Sequence, residues 1–150
     1  MNTLIDPVTE VSRIIGRFRR QLRRSTGRGF DSVRLTESQS ELLWLVGRQP
    51  DISVSAAAAE LGLVANTAST LVSKLVDKGL LVRTAGQTDR RVGQLRLTGA
   101  AQQIVDTSRA TRKAALAEVL NELDDTQIDS LAKGLEVLDT MTRRLQERPQ

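Results

Sequence analysis

The chain has 150 residues, of which 39% are hydrophobic, 27% charged and only 2% aromatic, and it carries a net charge of +4. That size suits one buried core rather than two, the composition is that of a soluble globular chain, and a core with so few aromatics must be built from Leu, Val, Ile and Ala, which favours helices. The absence of Cys and His excludes disulfides, thiolate nucleophiles, Cys or His zinc sites and imidazole acid–base chemistry.

The first 24 residues contain no apolar run of signal-peptide type, and nowhere do about 18 apolar residues run together, so the expectation is a cytoplasmic protein without membrane association. Charge is unevenly spread. Residues 1–99 hold 15 Lys or Arg against 9 Asp or Glu, whereas residues 100–150 hold 7 against 9. The positive excess therefore sits in the first two thirds, as a surface that displaces counterions from phosphates requires, although scattered arginines that merely confer solubility would read the same way.

In chain order, Thr9 to Arg24 places Val11, Ile14, Ile15, Phe18 and Leu22 at helical spacing among six arginines. Ser25 to Gly29 reads as a connection. A second helix is predicted after Thr36, an N-cap with Gln39 three residues on in capping-box position, with Leu42, Leu43, Leu45 and Val46 as its apolar face and Trp44 beside it, stopping before Pro50. Ile52-Ser53 is too short to assign. Ser53 can cap a short helix through Ala56–Leu61 that Gly62 ends, and a further helix runs from about Ala65 to Lys78, ending at Gly79. Two short helices meeting at a turn with Gly62 have the spacing of a helix-turn-helix. Leu80–Thr84 and Leu95–Thr98 flank a polar loop and predict a two-stranded hairpin. Thr98 caps a helix over 99–122, and a last helix, about Thr126 to Gln146, repeats Ile128, Leu131, Leu135, Leu138, Met141 and Leu145 at three-and-four spacing.

The helix 65–78 carries the functional argument. Ala68, Leu71, Val72 and Leu75 form an inward stripe, and the other side offers Asn66, Thr67, Ser69, Thr70, Ser73 and Lys74. Solvated helix faces are usually Glu- and Lys-rich, whereas Asn, Thr and Ser weaken a helix. Short polar side chains let the backbone approach base edges, Asn can bond adenine bidentately, and a Thr methyl can meet a thymine methyl. At the hairpin tip, Asp89-Arg90-Arg91 supplies arginines able to reach a narrow minor groove and an Asp able to orient one of them, or else a charged tip that is simply soluble.

The run Leu61-Gly62-Leu63, then Leu75-Val76-Asp77-Lys78-Gly79-Leu80-Leu81-Val82-Arg83, then Asp89-Arg90-Arg91 and Leu95-Arg96-Leu97-Thr98 resembles the MarR family of winged-helix transcriptional regulators. The resemblance implies a mainly α fold with a small β-hairpin wing. It also implies one domain over 1–150, with the winged helix-turn-helix at about 35–98 and dimerisation helices at about 6–28 and 99–147. It further implies a homodimer in which Arg91 enters the minor groove and Asp89 positions it. Two features depart from the family pattern: Val64 stands where Ser or Thr usually caps the recognition helix, and four alanines at 56–59 replace a larger apolar residue of the supporting helix.

The resulting expectation is a sequence-specific, dimeric DNA-binding regulator, a repressor of a pseudo-palindromic site. A non-specific DNA-binding protein and a winged-helix module that binds only protein are the alternatives. Similar regulators bind a small aromatic or anionic effector between their dimerisation and DNA-binding parts, and Arg17, Phe18 and Trp44 are the candidates for such a cleft. The Arg cluster 13–28 could also touch phosphates or only confer solubility. Thiol-based regulation is excluded by the lack of Cys. No nucleophile–base pair, metal-ligand cluster or phosphate-cradling Gly loop can be assembled, so neither an enzyme nor a cofactor or metal is expected.

Overall fold

The computed structural model describes residues 6–27, 33–86 and 93–148. The elements run α1 (Pro7–Thr26), α2 (Glu37–Arg48), β1 (Ile52–Ser53), α3 (Val54–Leu61), α4 (Ala65–Asp77), β2 (Leu81–Ala85), β3 (Gly93–Leu97), α5 (Gly99–Leu120) and α6 (Asp125–Gln146). The mainly α architecture with a small wing is as the sequence predicts. Among the described residues, no helix is long and apolar enough to cross a membrane.

Local chemistry sets most of the boundaries. Thr36 and Gln39 form the predicted capping box of α2, with the Gln39 amide donating to Thr36 Oγ1 at 3.2 Å and the Thr36 amide donating to Gln39 Oε1 at 3.0 Å. Ser53 caps α3, and Gly62 closes it in the left-handed region at φ 65°. Two helix starts lie earlier than predicted. Asp6 accepts from the Val8 and Thr9 amides with Pro7 in the first turn, so α1 begins before Thr9. Asp124 forms a second capping box with Gln127 and starts α6 at Asp125.

The sheet has three strands rather than the expected two, in the order β1-β3-β2 with both pairings antiparallel. Ile52 pairs with Leu95 and Ser53 with Gln94. Asp51, at φ 68°, makes the turn into β1; its amide donates to the Leu95 carbonyl at 3.0 Å, and its carboxylate takes both arms of Arg96. The Arg96 guanidinium holds the Asp51 carboxyl below the usual carboxylate range, mainly through that hydrogen bond. The wing strand β3 is thereby tied directly to the start of the helix-turn-helix.

The core joins α2, α3, α4, the sheet and the first half of α5: Leu42, Leu43, Leu45, Val46, Ala57, Val72, Leu75, Leu80, Leu81, Leu95, Ala101 and Val105 are all buried. Gly47 is needed there, since a Cβ on it would stand 3.0 Å from Val105 Cγ1, so the absence of a side chain lets α2 and α5 approach closely. The departure at 56–59 has a packing consequence: Ala57 and Ala58 are buried while Ala56 and Ala59 face outward.

Outside this core the picture reverses. Neither α1 nor α6 contains a buried residue, and the second half of α5 exposes Val119 and Leu120. The apolar stripes read from the sequence exist, but within one chain they are largely uncovered.

Candidate nucleic-acid interface and cleft

Helix α4 is anchored from its inner side, where Ala68, Val72 and Leu75 are buried and Leu71 is half-buried. Asn66, Thr67, Ser69, Thr70, Ser73 and Lys74 are all exposed. At 100° per residue, Asn66, Thr70 and Ser73 follow one another along a single outward stripe, with Thr67 and Lys74 beside it and Ser69 on the opposite flank. The Thr70 hydroxyl donates to the Asn66 carbonyl at 2.9 Å, so its proton is engaged within the helix, and a lone pair and a methyl remain for a ligand.

Val64 is the N-cap of α4 and makes no side-chain cap hydrogen bond; it is 60% exposed. The amides of the first turn are left for solvent or an incoming acceptor. At the other end, Thr98 fixes the helix to the rest of the domain. Its hydroxyl donates to the Gly79 carbonyl at 2.8 Å and accepts from the Ala101 amide at 3.3 Å, and its own amide donates to the Leu80 carbonyl at 3.1 Å. One threonine thus caps α5 and holds the turn that follows α4, which gives Thr98 a physical role. The wing residues Asp89, Arg90 and Arg91 lie outside the described residues.

A second feature is an open cleft of about 1450 Å³ bounded by α1, α2, α5, the end of α3 and Thr142 of α6. Trp44 lies in its wall, together with Arg19, Arg20, Arg23, Arg34, Arg48 and Arg112, against Glu37, Glu41 and Glu60. Arg19 crosses from α1 to α2 and binds Glu37 at 2.6 Å and Glu41 at 2.8 Å, with Arg23 3.8 Å from Glu37. The Arg112 guanidinium lies over the Trp44 ring, 4.7 Å from its centroid. Burial, and then the charge of Arg19, lower the Arg112 pKa from its ordinary value.

Of the three cleft residues singled out from the sequence, Trp44 lines this space, whereas Arg17 and Phe18 are exposed and are not among its lining residues. Two positions along a helix turn a side chain by about 200°, so Arg19 faces the cleft and Arg17 does not. Arg112 was not singled out. It stands 68 positions after Trp44, and no local pattern links the two.

The family profile described as MarR family matches residues 35–92. No protein of curated function matches the sequence. Among solved structures, the chain is similar to Streptococcus pneumoniae FabT in complex with DNA, at 22% identity and a TM-score of 0.80, covering 93% of this chain and 99% of that one. It is also similar to a MarR family protein from Bacillus stearothermophilus, at 20% identity and a TM-score of 0.71, covering 91% and 95%. A third is CouR from Rhodococcus jostii RHA1 bound to p-coumaroyl-CoA, at 23% identity and a TM-score of 0.68, covering 92% and 95%. The match to the MarR family profile is confined to the winged-helix segment, while the fold of these solved structures extends along nearly the whole chain.

Proposed function

We propose that this protein is a sequence-specific DNA-binding transcriptional regulator, a cytoplasmic homodimer that represses from a pseudo-palindromic promoter site and is released by a small-molecule effector. The observation that carries the reading is the exposed, short and polar outer face of α4 on a helix whose inner face is locked into the core. Such a face reads base edges in the major groove, and a rigid helix reads them better than a loop. FabT, of the same fold, was solved on DNA, which agrees with this use.

Site roles follow from the chemistry. Asn66 and Thr70 on the stripe and Thr67 beside them face the bases, Ser69 on the flank and Ser73 at the far end of the stripe contact sugar or phosphate, and Lys74 neutralises phosphate. Arg90 and Arg91 reach the backbone and minor groove at the wing, with Asp89 orienting Arg91. Replacement of Asn66 by Ala is expected to weaken operator binding by about 1–3 kcal/mol and to relax preference at one base pair; Thr70→Ala acts in the same direction. Fluorescence anisotropy on single-position operator variants checks this, and uniform weakening on every sequence would make these residues phosphate contacts instead. Arg91→Ala should weaken operator binding with fold and oligomeric state unchanged in circular dichroism and sedimentation; full affinity at physiological salt would remove the wing from the interface.

The homodimer is supported by the uncovered apolar faces of α1, α5 and α6, including Phe18 at 55%, Val119 at 59% and Leu135 at 55% exposure. Many large apolar residues left exposed along the same helices are the mark of an interface. The domain then comprises the winged helix-turn-helix, about 35–98, between dimerisation helices at about 6–28 and 99–147. An effector is supported by the cleft itself, which lies where α1 meets α2 and α5; CouR was solved with p-coumaroyl-CoA and Streptococcus agalactiae PefR with heme. Selecting bound duplexes from a random library tests the reading as a whole. An inverted repeat with half-sites about 34–36 Å apart, or a multiple of that spacing, is the expected outcome. A library that stays random would leave a non-specific binder, and no bound duplex at all would leave a protein-binding module.

A further inference from the structure

The arginines of the cleft are unequally engaged. Arg19 is held by Glu37 and Glu41. Arg112, on the α5 wall, stacks over Trp44, and its Nε is buried with no hydrogen-bond partner among the described residues. Among the described residues, six arginines line the cleft against three glutamates, a surplus of three positive charges. A buried guanidinium N–H without an acceptor, close enough to a second guanidinium to feel its charge, is a site lacking a negatively charged oxygen.

We infer that the space between Arg112 and Arg19 seats the phosphate group of an organic ligand, and that this phosphate displaces Glu37 and Glu41 from Arg19. The inference rests on the effector part of the reading above. A phosphate carries up to two charges and three free oxygens, enough to serve Arg112, Arg19 and the neighbouring Arg23 together, whereas a carboxylate has two oxygens and one charge. The ligand's organic part extends into the rest of the cleft.

Exchange at Arg19 couples the cleft to DNA reading. Glu37 and Glu41 lie on α2, which packs on α3, α4 and β3, while Arg19 lies on α1. These ion pairs tie α1 to the scaffold of the recognition helix. A phosphate that takes Arg19 loosens this tie, and by reciprocity DNA that favours the tied arrangement weakens the ligand.

Trp44 is the only tryptophan, so its fluorescence reports directly on the site. Phenyl phosphate, inorganic phosphate, benzoate and benzamide are titrated into the full chain. Phenyl phosphate should change the emission saturably and bind about tenfold or more tighter than benzoate, with benzamide silent. Arg112→Met should lower phenyl phosphate affinity by about tenfold or more, with its circular dichroism spectrum and melting temperature retained as the check on folding. Glu37→Gln combined with Glu41→Gln should raise that affinity, because Arg19 is then free of its competitors. Glu60→Gln is the control, since it removes a charge from the same cleft without freeing Arg19, and its effect should be clearly smaller. The proposal is overturned by no saturable response, by a benzamide response equal to that of phenyl phosphate, by inorganic phosphate binding as tightly as phenyl phosphate, or by Glu60→Gln matching the double variant. DNA binding of the same samples without any probe separates the outcomes: retained DNA binding with no probe response defeats this inference alone, and its loss defeats the regulator.

Discussion

Leu131→Glu combined with Leu135→Glu is expected to yield a folded monomer and to lower operator affinity by about 10²–10⁴-fold, the range by which linking two binding modules exceeds one. The reasoning starts from burial. Helix α6 has a capping box, good helix formers and a regular apolar stripe, yet none of its residues is buried within the chain. Leu131 is 40% and Leu135 55% exposed. A 22-residue helix with such a stripe gains its stability from burying it, so a second copy is the natural cover, through a self-complementary two-fold contact. The hydrophobic core residues furthest along the chain are Ala101 and Val105, with half-buried Ile104 packed against them, so charges placed in α6 leave the winged helix folded. Sedimentation velocity and anisotropy on one preparation check both halves of the result. A dimer that persists with both glutamates in place would move the interface elsewhere.

The second large effect is expected inside the winged helix. Leu75 is fully buried on the inner face of α4, and truncation to Ala should cost about 2–5 kcal/mol, the range for a buried Leu that leaves a cavity. For a domain whose total stability is about 5–15 kcal/mol, that is a substantial share. On the outer face, Thr67→Ala should change stability by no more than about 0.5 kcal/mol. Urea denaturation with an unchanged m-value measures both. The contrast matters more than either number, because it separates the face that holds α4 from the face that is available to DNA. Equal costs at the two positions would mean that the faces are wrongly divided.

Sequence reading worked wherever a few neighbouring residues determine the outcome. The Thr36–Gln39 box, the Ser53 and Thr98 caps and the glycines at 62 and 79 are local chemistry, and each is found where the chain places it. Asp6 and Asp124 are equally local caps and were legible by the same rule. β1 was not, because two residues carry no periodicity and its existence depends on pairing with Leu95 and Gln94, some forty positions away. The stripes of α1 and α6 were visible as patterns, but periodicity reports only that a face is apolar and not whether its partner belongs to the same chain. Within the cleft, Trp44 was accessible to sequence reasoning as a lone aromatic. The choice between Arg17 and Arg19 depended on helix phase, and Arg112 depended on the packing of α5 against α2. The short, polar outer face of α4 was the most legible feature, since its composition is unfavourable for an ordinary solvated helix.

The Asp51–Arg96 pair illustrates how function and fold meet here. It is solvent-exposed and contributes little to global stability, yet it links the turn before the helix-turn-helix to the wing strand. Its carboxyl has a lowered pKa in the folded chain, so this tie is intact above the ordinary carboxylate range and is lost only as pH falls through the depressed value. Wing placement is therefore insensitive to pH near neutrality.

Sequence-specific reading of DNA by this chain is tested most directly by competition between the library-selected duplex and random duplex of equal length across a series of salt concentrations. Specific reading predicts affinity for the selected duplex of order 10³-fold or more above random DNA, maintained while both weaken with salt. A ratio near one at every salt concentration would contradict it.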